Sequence, residues 1–185
     1  FPFPFEPEDR LDLLPYQTHT WPNQVQRLKG WVEQFWQPGQ SIETFLLLDR
    51  INKAIVSQFK YRVREEPGVQ NPAQTLQLGG GSCRDFAALF IEACRYLGLA
   101  ARFVSGYLQS GNSQQHGSTH AWSEVYLPGA GWIGFDNTSG LVAGLEHIAT
   151  AVHRHPESIP PVSGSFIGPS GVKSELHVTV DVSLI

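Results

Sequence analysis

The chain has 185 residues, 41% of them hydrophobic and 11% aromatic, with a net charge of −4. That is enough for one domain with a sizeable core. It carries no run of Lys or Arg and no apolar stretch near the roughly 20 residues that span a bilayer, so neither nucleic acid nor membrane is expected as a partner.

The start, FPFPFEPEDR, has no basic region and no continuous apolar stretch, so it does not read as a signal peptide. Its aromatic–proline alternation predicts an extended lead-in over residues 1–20, leaving another domain, with the functional domain over 21–185. The chain holds no methionine, which fits a processed chain or a piece of a longer one.

Val25, Leu28, Val32 and Phe35 recur at helical spacing, with Pro22 in the first turn and Pro38-Gly39 as the stop. A second helix is predicted from an N-cap at Ser41 to about Phe59, with Phe45, Leu48, Asn52 and Ile55 on its stripe. EEPGVQNP reads as a loop, and Asn71-Pro72 opens a short helix through Leu78. GGGS then leads into a helix that begins at Cys83. Phe86, Phe90, Ala93 and Leu97 form one stripe, and Ala87, Ala88, Leu89 and Ile91 make the other sides apolar. A helix that is apolar nearly all round is a buried one. Gly98 is its expected stop.

Beyond Gly98 the texture changes to strands: ARFVSGYL (101–108), HAWSEVYL (120–127) and GWIGFD (131–136), the last two joined by a turn at Pro128-Gly129. GNSQQHGST is a polar loop. Residues 137–171 read as irregular, with one helical turn near Leu145–Thr150. ELHVTVDV (175–182) alternates and predicts a strand with one wet face, turned toward another domain or subunit. Helices first and strands second give an α+β fold.

The two cysteines are Cys83 and Cys94. On one helix they stand about 16 Å apart along the axis, beyond the roughly 7 Å a disulfide allows. Two free thiols point to a reducing compartment, and a cytoplasmic location is the expectation. Cys94 falls mid-helix and reads as structural. Cys83 opens the helix, where free N–H groups and the helix dipole favour a thiolate. Such a thiol needs a base and a group to orient that base. If 120–127 and 131–136 form a hairpin centred on residue 128, His120 and Asp136 become cross-strand neighbours about 5 Å apart. The three residues then form a Cys–His–Asp set. Asp85, in the first turn, is expected to point away from the thiol. Ser82, Trp122 and His116 are candidates for the cleft wall. His147 reads as structural. There is no C-x-x-C pair, and His116 and His120 fall in loop and strand rather than on one helix, so no metal is expected. GGGS lacks the lysine and spacing of a phosphate-binding loop, and no cofactor is expected.

Three blocks in order, GSCRDFAALFIEACRYLGLAARFVSGYL, THAWSEVYLPGAGWIGFDNTSG and EHIATAV, resemble bacterial members of the transglutaminase-like superfamily of papain-like cysteine enzymes. The resemblance implies Cys83 as nucleophile, His120 as base and acid, and Asp136 as the orienting carboxylate, with a sheet packed on the cysteine helix. It implies thiol-dependent acyl transfer or amide hydrolysis on a peptide or protein substrate, and relatives commonly carry an N-terminal β-rich domain. The oxyanion donors would be the Cys83 N–H and a second group. Gln77, six residues before the cysteine, has the offset of the oxyanion glutamine in papain. The chain departs from its relatives at Arg84, where glutamine is frequent, at Asn137, where proline is frequent, and at His153-Arg154-His155, where Gly-Arg-Asp is frequent. The alternative from another class is a non-catalytic peptide- or glycan-binding module that keeps the fold.

Overall fold

A computed structural model describes residues 1–64, 66–109, 118–165, 167–172, 175 and 177–182. Among the described residues, five α-helices come in chain order: α1 (Pro7–Gln17), α2 (Val25–Val32), α3 (Thr44–Gln58), α4 (Pro72–Leu78) and α5 (Cys83–Tyr96). Two-residue strands β1 (Lys60–Tyr61) and β2 (Gly80–Gly81) pair in parallel. The strands β3 (Ala101–Leu108), β4 (Ser118–Leu127), β5 (Gly131–Asp136), β6 (Leu141–Val142) and β7 (His147–His153) form one antiparallel sheet in the order β6-β5-β4-β3-β7. The α+β reading of the sequence is what the structure has.

Helix α5 packs on β3 and β4, and α2, α3 and α4 pack on its other sides. Phe86, Ala87, Leu89, Phe90 and Ala93 are each buried to 1% exposure or less. They meet Leu28, Val32, Leu48, Ile51 and Ile55 from the helices and Ala101, Phe103, Ala121, Val125 and Phe135 from the sheet. A helix with apolar residues on every side is stable only when covered on every side.

The lead-in is not extended throughout. Residues 7–17 form α1, with Pro7 at its first position, where a missing N–H costs nothing. Phe5 and Leu13 bury against Ala100, with Tyr16, Tyr126 and Trp132 around them. Glu92 of α5, 2% exposed, accepts from the Thr20 N–H at 3.0 Å and meets His19 Nδ1 at 2.8 Å. Arg95 bonds Glu92 and the carbonyls of Tyr16, Ala101 and Arg154. Residues 1–20 therefore belong to the same body as the helix they cover.

Other elements differ locally from expectation. Residues Pro22–Gln24 form a 3-10 turn before α2, which ends at Val32. Glu43, not Ser41, caps α3, its carboxylate accepting from the Phe45 and Leu46 N–H groups. Leu145–Thr150 gives no helical turn. His147–His153 is edge strand β7, where Ile148, Thr150 and Val152 suit a pleated surface. Residues 177–182 form no strand. They lie beside Tyr107, Ile148 and Thr150, and among the described residues the sheet ends at β7.

The glycine run explains how Cys83 is placed. Lys60 N donates to Gly79 O at 2.9 Å and Arg62 N to Gly81 O at 2.8 Å, drawing β1 against the loop. A Cβ on Gly80 would lie 2.3 Å from Lys60 O, and one on Gly81 would lie 2.7 Å from Asp85 Cβ. Asp85, fully buried, then holds the start of α5. Its carboxylate accepts from Arg64 Nη1 at 2.8 and 2.9 Å, from Gln70 N at 2.8 Å, and from Ser82 N and Oγ at 2.8 and 2.9 Å.

Two outcomes follow. Asp85→Ala leaves Arg64 without its buried partner and is expected to lower unfolding free energy by about 3 kcal/mol or more, read by urea denaturation. Gly106→Ala places a Cβ 2.1 Å from Ile148 O and 2.8 Å from Trp122 Cη2, so it should cost about 1–3 kcal/mol by overpacking, read the same way.

Candidate active site

Cys83 is the first residue of α5 and is partly exposed. It opens into a cleft of about 390 Å³ whose lining includes Tyr61, Ser82, Arg84, Ser105, Thr119 and His120. Cys94 is fully buried on the same helix, and burial pushes its thiol far above the ordinary range. Both cysteines are free.

His120 and Asp136 meet, by a register different from the expected one. The loop between β4 and β5 has three residues, closed by Ala130 N to Leu127 O at 3.0 Å, and Leu127 pairs with Gly131. The ladder is therefore centred on residue 129, and continuing it sets Trp122 opposite Asp136. His120 is the diagonal neighbour. An offset of two keeps both side chains on one face of the sheet, and His120 Nε2 lies 3.2 Å from Asp136 Oδ2. The approach is not aligned as a hydrogen bond, and the buried Nε2 has no hydrogen-bond partner among the described residues.

Charge is balanced within this group. Burial would lower the His120 pKa, but the close polar groups of Asp136 and Cys83 and their negative charges outweigh it and hold the ring at about 9. Burial would raise the Asp136 carboxyl. His120 and the Thr138 donors reverse this and hold it well below the usual carboxylate range. Asp136 Oδ1 accepts from Thr138 N at 2.9 Å and Thr138 Oγ1 at 2.7 Å. The next residue, Asn137, is fully buried. Its amide donates to Asn52 Oδ1 of α3 at 2.9 Å and accepts from Ser123 Oγ at 2.9 Å, tying the end of β5 to a helix.

The other candidates fall in several places. Ser82 lines the cleft at its buried edge. Trp122 does not open on it. The indole is 2% exposed and packs behind His120, ring centroids 6.2 Å apart, over the space that Gly106 leaves. Gln77 is exposed on α4, away from the cleft lining. A seven-residue helix stands between Asn71 and the glycine loop and turns that side chain outward. His116 lies outside the described residues. Asp85 is engaged by Arg64, Gln70 and Ser82, as above. Arg84 stands at the cleft, its guanidinium 3.4 Å from Glu66 O.

Tyr61 is not singled out by the sequence, and His147 reads there as structural. Tyr61 reaches the site because β1 pairs with Gly80-Gly81. Its ring packs edge-on to Phe86 at 6.2 Å and lines the same cleft as Cys83, close enough to feel the charge of the sulfur. Partial burial, with the negative charge of Cys83 and Asp136, raises the phenol and keeps it a donor. His147, at the start of β7, sets Nε2 3.2 Å from Asp136 Oδ2. The KYR segment (60–62) and the EHI segment (146–148) carry no local mark of these contacts, since both arise from strand pairing between distant residues.

His120, Asp136 and His147 bring one ligand atom each within 4.8 Å of one another, a spacing open to a metal ion. The tautomer argues for a hydrogen bond instead. His147 Nδ1 accepts from Gly144 N at 3.2 Å, so the ring proton of the neutral form sits on Nε2 and points at the carboxylate.

Comparison with known proteins agrees with this architecture. An uncharacterized protein of Mycobacterium bovis is 33% identical over 138 residues, covering 69% of this chain and 44% of that protein. An uncharacterized protein of Mycobacterium leprae is 30% identical over 108 residues, 56% of this chain and 37% of the other. The chain thus spans less than half the length of these relatives. The crystal structure of a candidate cysteine protease from Cytophaga hutchinsonii superposes with a TM-score of 0.65 at 27% identity, covering 78% of this chain and 47% of that one. Legionella pneumophila LapG shares the fold, with a TM-score of 0.55 at 13% identity over 82% of this chain and 86% of its own. The sequence profile of the transglutaminase-like superfamily matches residues 39–137, from before α3 to just past Asp136. With this match over more than half its length, the chain belongs to the transglutaminase-like superfamily.

Proposed function

We propose that this domain is a thiol-dependent acyl-transfer enzyme acting on amide or ester carbonyls of peptide-like substrates. The observation that carries the reading is the convergence of Cys83, at a helix start, with His120 and Asp136 beside an open cleft. Family membership and the likeness to a candidate cysteine protease support it.

In this reading the Cys83 thiolate attacks the carbonyl carbon while His120 holds the proton. With Nε2 turned to Asp136, Nδ1 is the ring nitrogen left for the sulfur. The proton passes from His120 to the leaving amine, and a thioester remains on Cys83. Water or an amine then takes the acyl group, with His120 accepting the nucleophile's proton. Asp136 keeps the ring oriented and offsets its charge. No bound cofactor enters any of these steps. The oxyanion would be met by the Cys83 N–H, free at the helix start, and by the Tyr61 hydroxyl in place of Gln77.

The imidazolium is the form that stabilises the thiolate, and it persists from low pH up to about 9. Iodoacetamide at pH 7 is therefore expected to alkylate Cys83 and spare Cys94. His120→Ala should slow Cys83 alkylation about 10-fold or more. Peptide mapping by mass spectrometry reads both sites. Equal sluggishness at the two cysteines would instead favour a binding module.

Tyr61→Phe separates the two roles of the phenol. Acylation of Cys83 by p-nitrophenyl acetate passes through an oxyanion, whereas alkylation by iodoacetamide does not. The variant is expected to lose about 100-fold in acylation and less than about 3-fold in alkylation. A parallel loss in both would assign the hydroxyl to the thiolate alone.

A further inference from the structure

Asp136 is 3% exposed, and its two oxygens are held in different ways. Oδ1 is fixed by its own turn, through Thr138 N and Oγ1, with Ser139 N at 3.4 Å. Oδ2 is shared by two imidazoles at the same distance of 3.2 Å. Only one of them, His147, is aligned to donate a hydrogen bond. His120 approaches the same oxygen without that alignment.

His147 is itself fixed. Its Nδ1 accepts from Gly144 N, and its ring meets the Trp122 indole edge-on at 5.2 Å. It is carried by β7, which pairs with β3 across Leu108↔His147. His120 sits on the neighbouring β4, stacked at 28° to the same indole. The two imidazoles are 5.9 Å apart, so Trp122 and Asp136 together form a frame that touches both.

We infer that His147 is a positioning residue for the thiol site, a neutral Nε2–H donor that holds Asp136 Oδ2 so the carboxylate faces His120 whatever proton His120 carries. This deepens the acyl-transfer reading and rests on it. A carboxylate held only by the ring it orients would swing when that ring gave up its proton. Here the turn holds one oxygen and His147 the other, and His120 is free to pass a proton without moving its anchor. The charges around His120 are then Cys83 on one side and Asp136 on the other, with neutral His147 behind the carboxylate and the neutral Tyr61 phenol lining the cleft with the sulfur.

The tautomer makes the test specific. The side-chain amide of glutamine can place an N–H near the position of Nε2, whereas that of asparagine reaches only to the level of Nδ1. His147→Gln is expected to acylate with p-nitrophenyl acetate within about 3-fold of the unaltered protein. His147→Asn and His147→Ala should each lose roughly 10–100-fold, the usual effect of removing such an outer partner. Nitrogen-15 NMR of the imidazoles gives a readout that needs no turnover. His147 should appear as the neutral Nε2–H tautomer at pH 7. The His120 titration midpoint should fall by about one on the pH scale or more in His147→Ala and return in His147→Gln. A positively charged or Nδ1–H His147, an unmoved or raised His120 midpoint, or asparagine performing as well as glutamine would each overturn the proposal. Failure of Cys83 to acylate in the unaltered protein would instead overturn the acyl-transfer reading, and the NMR outcome would still decide the role of His147.

Discussion

A helix that must be covered on every side, yet open its first residue to solvent, sets the arrangement of this domain. The sheet takes one face of α5 and α2, α3 and α4 take the others. What remains uncovered is the N-terminal end, where unpaired N–H groups and the helix dipole favour negative charge. The apolar sides thus decide both where the core lies and where the thiol emerges. Cys94, on the same helix, shows the contrast. Identical chemistry within the covered part is pushed out of reach of ionisation by burial.

Holding that open end still requires polar groups in a buried setting. Asp85 does this without unpaired charge, because Arg64 and three further donors satisfy both oxygens. The glycines at 80 and 81 let β1 and Asp85 come close enough to matter. The same approach carries Tyr61 to the cleft. One local device therefore has two results, a rigid helix start and a phenol beside the sulfur. A similar economy holds at Asp136, whose neighbour Asn137 anchors β5 to α3 while the aspartate itself faces the histidines.

Much of this was legible in the residues. Periodicity marks α2, α3 and α5, the Asn71-Pro72 cap marks α4, and aromatic and branched residues around the Pro128-Gly129 turn mark β3 to β5. The glycine lead-in and the junction position distinguished Cys83 from Cys94. His120 and Asp136 pair by hairpin arithmetic, although the centre lies at residue 129 and not 128, which moves the partner of Asp136 by two. The pairing survived because a shift of two residues preserves the face. The weaker readings were those with no periodic signal of their own. Pro7–Gln17 looked extended because prolines and aromatics hid a helix that is stabilised by packing on Ala100 and by Glu92 and Arg95. The alternation in 177–182 predicts a strand, but alternation marks only a face, and these residues form no strand.

The sequence by itself determined which segment carries the thiol, which strands carry the imidazole and carboxylate, and that the class is α+β. These follow from short-range chemistry: side-chain periodicity, turn residues and helix-end electrostatics. Tertiary structure alone decided that Tyr61 lines the cleft with the sulfur, that Trp122 backs the imidazole instead of lining the cleft, and that His147 shares the carboxylate with His120. Those contacts depend on register between strands far apart in the chain. Register is settled by packing and ladder hydrogen bonds across the whole sheet, which no local stretch of residues encodes.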